Sequence, residues 1–265
     1  MAVGHDMSEG LTLYVARESG LHRLHPLTKL SLAGFLFVAG LALPGTITPY
    51  MIFILAVLPL AAWGRVARKL FGAAWRVVLP FAVSVFLVQG FFWPNGTPLL
   101  SIGPISLREE GVIFAAASTG RILVVVSCFL LFALATRPDV LMAALTQRGF
   151  PGSIAYIVVA TVQVVPRFQA KAAAILDAQR SRGLEIEGNL LQRLRALVPL
   201  IAPLILGSLV DVEERAMAIE VRAFNHPGPK TSLIVIGEAP WEQIARWILA
   251  IGAVAMIGLR IWLIL

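Results

Sequence analysis

Val112-Ile-Phe-Ala-Ala-Ala-Ser-Thr-Gly-Arg121-Ile-Leu-Val-Val-Val-Ser-Cys128-Phe-Leu-Leu-Phe-Ala-Leu-Ala-Thr136 is the stretch that decides the fold. At about 1.5 Å per residue it is long enough to cross a hydrocarbon core of roughly 30 Å as a helix. Its one charge, Arg121, lies about a third of the way along, where an ionisable group faces protein or water rather than lipid. A structural arginine bonded to helix carbonyls or snorkelling outward is the plain reading, and a place on a substrate path is the alternative.

The surrounding chain repeats the theme. It is 58% hydrophobic and 14% charged, and its mean hydropathy of +0.83 lies outside the soluble range. The expected fold class is all-α, a polytopic membrane protein with about five transmembrane helices and long cytoplasmic amphipathic helices. The first two spans, Leu27 to Leu43 and Tyr50 to Trp63, form a tight hairpin around Pro44-Gly45-Thr46-Ile47-Thr48-Pro49. Arg65, Arg68, Lys69 and Arg76 follow with no acid between them, which places that loop and the N-terminus in the cytoplasm. The third span, Val77 to Trp93, ends at Pro94-Asn95-Gly96-Thr97-Pro98, an external loop, and Val112 to Thr136 is the fourth. Residues 1–20 are polar and mixed in charge, unlike a signal peptide, so no cleavage is expected.

From Arg137 to Pro240 the chain turns amphipathic and arginine-rich and should be cytoplasmic. Ile154 to Val165 and Ala196 to Leu209 are short or broken by Pro166, Pro199 and Pro203, and read as buried or obliquely inserted segments. A loop after Gly228-Pro229 leads to a last span, Ile244 to Leu265, with Trp241 and Trp247 as interfacial anchors. The expected organisation is 1–136 (four spans), 137–240 (a cytoplasmic amphipathic region) and 241–265 (the C-terminal span). A label near Asn189 should react from the cytoplasm.

The net charge of +7 admits nucleic acid, anionic lipid or an acidic partner. Nucleic acid is set aside, because the charges sit at segment ends and on two amphipathic helices instead of in a basic stripe interleaved with aromatics. The lone Cys128 gives no disulfide framework or metal cluster. No Gly-x-x-x-x-Gly-Lys-[Ser/Thr] loop occurs, so the chain should not bind and hydrolyse ATP by itself, and no Gly-x-Ser-x-Gly or His-Glu-x-x-His motif occurs either. His22 and His25 are spaced for a shared metal but have no third ligand nearby, so a positioning role is expected.

Two segments end alike: Ala178-Gln-Arg-Ser-Arg182-Gly183 and Ala218-Ile-Glu-Val-Arg222-Ala223. Between Arg167 and Gly183, Phe168, Ala172, Ile175, Leu176 and Gln179 follow helical spacing, and Gly183 suits a C-cap. The second helix is expected to start at Asp211, Glu213 and Glu214, to present Val210, Met217, Val221 and Phe224 as its apolar face, and to end at Arg222. An arginine beside small residues at a helix end can enter a groove of another protein and offer carboxylates a rigid fork of donors. Cations near a helix C-terminus are also stabilising by about 0.3 to 1 kcal/mol without a partner, and it is the duplication that favours docking.

These residues carry a resemblance to the transmembrane T component of energy-coupling factor transporters, the EcfT and CbiQ family. Leu21-His22-Arg23-Leu24-His25-Pro26-Leu27-Thr28-Lys29-Leu30 resembles the family's Leu-His-x-Leu-Asp-Pro-Arg-Thr-Lys segment, with His25 and Leu27 in place of Asp and Arg. Pro166-Arg167-Phe168 through Gly183 resembles the first coupling motif, and Pro199 through Phe224 the second, where Val221-Arg222-Ala223 replaces the usual Ala-Arg-Gly. The resemblance covers nearly the whole chain. It implies a subunit of a bacterial importer in the inner membrane, with two ABC ATPase subunits (EcfA-type, a homo- or heterodimer) and a substrate-binding membrane S subunit as partners. It further implies coupling helices crossed as an X, with Ser181, Arg182, Gly183, Val221, Arg222 and Ala223 as the ATPase-docking residues. No cofactor is expected on this chain, with ATP and magnesium held by the ATPases, and the substrate would be a vitamin or a transition-metal ion. A channel or secondary transporter using Arg121 is the alternative; a membrane enzyme lacks any arrangement to carry chemistry.

Overall fold

The computed structural model describes residues 14, 19–94, 97–102, 105–183, 190–224, 226 and 236–263. The expected cytoplasmic label site at Asn189 and the Gly228-Pro229 loop lie outside these, as does most of the polar N-terminal segment. The protein is an all-α polytopic membrane protein. Its elements in order are α1 (Gly20–Arg23), α2 (Pro26–Ala42), α3 (Thr48–Ile52), a π-helical turn (Phe53–Val57), α4 (Leu58–Trp63), α5 (Ala67–Phe92), β1 (Pro98–Ile102), β2 (Ile105–Arg108), α6 (Glu109–Ala135), α7 (Pro138–Thr146), α8 (Gly152–Ser181), α9 (Leu190–Val221) and α10 (Pro240–Trp262).

Four of these helices, α5, α6, α8 and α10, are long and apolar enough to cross a membrane, while Pro26–Ala42 and Thr48–Trp63 are shorter apolar helices. Three of the long helices correspond to the expected third, fourth and last spans; the two shorter ones correspond to the expected first hairpin. The fourth long helix, α8, incorporates Ile154 to Val165. Most of the basic run read as a loop is helical instead: Arg65 stands in the preceding turn, and α5 starts at Ala67 and continues through Arg68, Lys69, Arg76 and Pro80. The connection after α5, expected as an external loop, includes a short antiparallel ribbon, β1 against β2, with an irregularity between Pro98 and Leu100.

The described residues divide into two compact units, one built from α1 to α7, the β-ribbon and α10, the other from α8 and α9. In the first, α6 packs against α5, α2 and α3, and α10 packs on α2. Its core joins Leu21, Leu36, Val57, Leu70, Val124 and Leu131. Helices approach closely at glycine, as in other membrane bundles. A Cβ on Gly120 of α6 would stand 2.8 Å from the Tyr50 ring, whose hydroxyl donates to the Ala116 carbonyl at 2.8 Å. Large apolar side chains elsewhere on these helices, such as Leu55, Phe92, Trp247 and Val254, are exposed, as lipid-facing surfaces require.

Both prolines-as-breakers readings are corrected in the second unit. Pro166 lies inside α8, and Pro199 and Pro203 lie inside α9. A proline removes one helical hydrogen bond and bends the axis, which an apolar helix in a bundle tolerates when its flanks remain good helix formers. The helix expected to begin at Asp211 therefore starts at Leu190, as α9, and Asp211, Glu213 and Glu214 stand in mid-helix instead of at its N-terminus.

Candidate functional site

α8 closes at Ser181, with Arg182 as its C-cap (φ −91°, ψ 9°) and Gly183 in the left-handed region at φ +87°. The Gly183 N–H donates to the Arg180 carbonyl at 3.0 Å, which satisfies one of the carbonyls left over at a helix end. Ser181 Oγ donates to the Asp177 carbonyl at 3.0 Å, and Arg180 pairs with Asp177 at 3.4 Å. Those neighbours are turned back on their own helix. Arg182 is exposed.

α9 closes in the same manner. The Ala223 N–H donates to the Glu220 carbonyl at 2.9 Å and the Phe224 N–H to the Ile219 carbonyl at 3.2 Å. Together these are the two bonds of a Schellman motif, with Arg222 as the cap residue and Ala223 in the left-handed position, at φ +53°. Arg222 is exposed, and Val221 beside it is 87% exposed. Of the expected apolar face, Val210, Met217 and Val221 are exposed within this chain, whereas Phe224 meets the Tyr156 ring of α8 at a centroid distance of 5.4 Å.

A second contact joins the pair. Lys171 Nζ donates to the Gly207 carbonyl at 2.8 Å and to Asp211 Oδ2 at 2.9 Å. Going forward along α8 from Tyr156 to Lys171 corresponds to going back along α9 from Phe224 to Asp211, so the two helices run antiparallel. Their C-terminal ends therefore point in opposite directions. At about 1.5 Å per residue, Arg182 and Arg222 each lie roughly 16 Å from the Lys171–Asp211 contact, on opposite sides of it. The arrangement offers two well-separated guanidiniums, each on a capped helix end whose carbonyl dipole complements positive charge.

The other unit carries a polar cluster where the N-terminal motif packs. His25 is the N-cap of α2, its Nδ1 accepting from the Leu27 N–H at 3.2 Å. Its own backbone N–H donates to Glu242 Oε1 at 3.0 Å, and Arg246 approaches the same Nδ1 at 3.5 Å. An Nδ1 that accepts from a backbone N–H leaves the ring neutral. Burial first, and then the Arg246 guanidinium, hold the His25 imidazolium pKa below its ordinary value against the opposing pull of Glu242. Glu238 is shared, pairing with Arg246 and, at 2.7 Å, with Arg148. The buried Lys29 donates to the carbonyls of His22 (3.0 Å) and Ala135 (2.9 Å), so it caps the end of α6. A cavity of about 530 Å³ beside the cluster is lined by His25, Gln147, Arg148 and Glu238.

His22 and His25 thus have structural partners, with His22 Nδ1 2.7 Å from Ser19 Oγ. Among the described residues no group of three metal-ligating side chains occurs. Arg121 sits within α6 with its Nε buried and without a hydrogen-bond partner among the described residues. Cys128 is a buried free thiol. Sequence reasoning missed Lys171, Glu238, Glu242 and Arg246. Glu242 and Arg246 share a helix face at i, i+4, a signal that was legible; nothing local marks Lys171 as the partner of Asp211.

Comparison with known proteins agrees with this architecture. The CbiQ family, described as cobalt transport protein, matches residues 17–233. The energy-coupling factor transporter transmembrane protein EcfT of Lacticaseibacillus paracasei is 26% identical, over 94% of this chain and 96% of that one. The protein of the same name from Thermotoga maritima is 29% identical, over 87% and 86%. A Bifidobacterium longum protein provisionally named an ABC transporter ATP-binding protein is 27% identical over 78% of this chain, which corresponds to 28% of that longer protein. The chain belongs to the CbiQ family and is a transmembrane component of the energy-coupling factor type.

Proposed function

We propose that this chain is the non-catalytic coupling subunit of an importer, transmitting ATP-driven movement of two ABC ATPase subunits to a substrate-binding S subunit for uptake of a vitamin or transition-metal ion. The observation that carries this reading is the antiparallel α8–α9 pair, which ends in opposite directions on Arg182-Gly183 and Arg222-Ala223, each arginine exposed and each followed by a left-handed residue. Two separated ends of like chemistry suit two ATPase subunits, each receiving one arginine in an acidic groove. The similarity to a portion of a protein provisionally named as ATP-binding supports the same association.

On this reading residues 1–136 form a membrane region, 137–240 the coupling region and 241–265 a C-terminal span. The N-terminus and coupling helices face the cytoplasm of a bacterial inner membrane. ATP and magnesium belong to the ATPase partners, and this chain binds no cofactor of its own. The docking residues are Ser181, Arg182, Gly183, Val221, Arg222 and Ala223. Co-purification of the ATPases with the tagged chain, with and without substitution of both arginines, tests the reading.

A further inference from the structure

α5 begins on a group of cations that the fold leaves unneutralised. Arg68, Lys69 and Arg76 are exposed and have no carboxylate or hydrogen-bond partner among the described residues, and no Asp or Glu occurs in 19–108. In the same unit Arg137, Arg148 and Arg246 each hold a carboxylate. Helical spacing puts Arg68, Gly72 and Arg76 on one ridge at i, i+4 and i+8, with Lys69 on one side of it and Phe71 and Trp75 on the other. The two rings stack with centroids 6.0 Å apart and 14° between their planes, and both are exposed. Gly72 is exposed between them, and a Cβ there would meet nothing within 4 Å. The ridge therefore has a notch, with cations at both ends and an aromatic wall.

Helix length sets the depth of the notch. α5 has 26 residues, about 39 Å of helix, whereas a hydrocarbon core of roughly 30 Å takes about 20 residues. The far end, Phe91, Phe92 and Trp93, carries no charge, so the surplus, 67–72, stands at headgroup level. Arg76, one turn deeper, reaches back toward that level, as long basic side chains at a bilayer edge do. Phe71 and Trp75 stand at the boundary where aromatic rings settle. Further along the same face Leu79 and Val83 are exposed at hydrocarbon depth.

We infer that this face of α5 is a binding site for an anionic phospholipid. The phosphate seats over Gly72 among Arg68, Lys69 and Arg76, the glycerol backbone rests on Trp75, and an acyl chain runs along Leu79 and Val83. Three unpaired cations suit a headgroup of net negative charge, whereas a zwitterionic headgroup brings its own ammonium and leaves them uncompensated. The apolar track favours a lipid over a free phosphate ion or an acidic protein segment, neither of which has anything to lay against it. A lipid held there neutralises the cations and fixes the depth of α5 in the bilayer.

The test is native mass spectrometry of the full chain in detergent micelles, titrated with phosphatidylglycerol or with phosphatidylcholine. Each basic residue near a lipid surface strengthens anionic binding by about fivefold, so the unchanged protein should retain phosphatidylglycerol at least about tenfold more tightly than phosphatidylcholine. Arg68→Gln, Lys69→Gln and Arg76→Gln together should abolish that preference. Gly72→Leu keeps every charge and, leucine being the better helix former, keeps the fold; by filling the notch it should weaken phosphatidylglycerol retention by about fivefold. Inorganic phosphate at the lipid's concentration should displace none of it. Equal retention of the two lipids, undiminished binding by the triple variant, or displacement by inorganic phosphate would overturn the lipid site. Full binding by Gly72→Leu would overturn the seat at the notch, and a triple variant that keeps its lipid but loses the ATPases would assign the cations to a protein partner.

Discussion

Gly183 and Ala223 occupy the same left-handed backbone position, φ +87° and +53°, immediately after the arginines that close α8 and α9. The two helix ends therefore share a left-handed closing residue although their side chains differ. Glycine takes this conformation freely, while an alanine is strained there by about 1 kcal/mol or more. Ala223→Gly should stabilise the chain by roughly 0.5 kcal/mol, the relief of strain being partly offset by unfolded-state entropy, and Gly183→Val should destabilise it by more than about 1 kcal/mol. Thermal unfolding in detergent measures both, and a drop in stability with Ala223→Gly would contradict the geometry.

Phe224 links the second end to α8 through Tyr156. Phe224→Ala removes the aromatic pair, with an expected loss of about 1 to 3 kcal/mol, whereas Tyr156→Phe, which keeps the ring, should cost less than about 0.5 kcal/mol. Equal losses for the two would show that the ring contact is not what braces this end.

Lys29 is buried against two carbonyls. Lys29→Met leaves the Ala135 carbonyl at the end of α6 without its donor, at an expected cost of about 1 to 3 kcal/mol. Glu242→Gln should be milder, because an amide oxygen still accepts from the His25 N–H. Comparing the two variants by denaturant or thermal unfolding checks the order.

The His25 ring faces Arg246, Arg148 and Lys29 on one side of the balance and Glu242 on the other, with its folded-state pKa below the ordinary 6.5. The unfolded chain then binds more protons than the folded one between the folded value and 6.5. Stability is fully present above about pH 6.5 and declines as the pH falls through that window toward the folded value. His25→Asn, which retains a side-chain acceptor for the Leu27 N–H, should remove that part of the acid sensitivity. A pH profile of unfolding that is identical for the two proteins would refute the assignment.

Much of this was legible because hydropathy and charge act locally. The Val112 to Thr136 run and the span after Pro240 form helices of nearly the expected extent, and the repeated arginine endings are visible as spelling. Less was legible where long-range contacts override a local signal. Pro166, Pro199 and Pro203 read as breaks, yet α8 and α9 continue through them, because helix on both sides of a proline restores what one missing hydrogen bond removes. Asp211 reads as an N-terminal acid and is instead the acceptor for Lys171, far away in sequence. His25 reads as a departure from the family's aspartate; in the fold its Nδ1 caps α2, and Glu242 accepts from its backbone N–H.

The central claim is that Arg182 and Arg222 are the docking points for two ATPases. The most direct measurement is quantitative co-purification of the ATPase subunits with the tagged chain carrying Arg182→Ala, Arg222→Ala or both. Each single change should weaken association by about 2 to 5 kcal/mol where the arginine is desolvated against a carboxylate, and the double variant should recover no ATPase while inserting in the membrane normally. Undiminished recovery of the ATPases by the double variant would contradict the account.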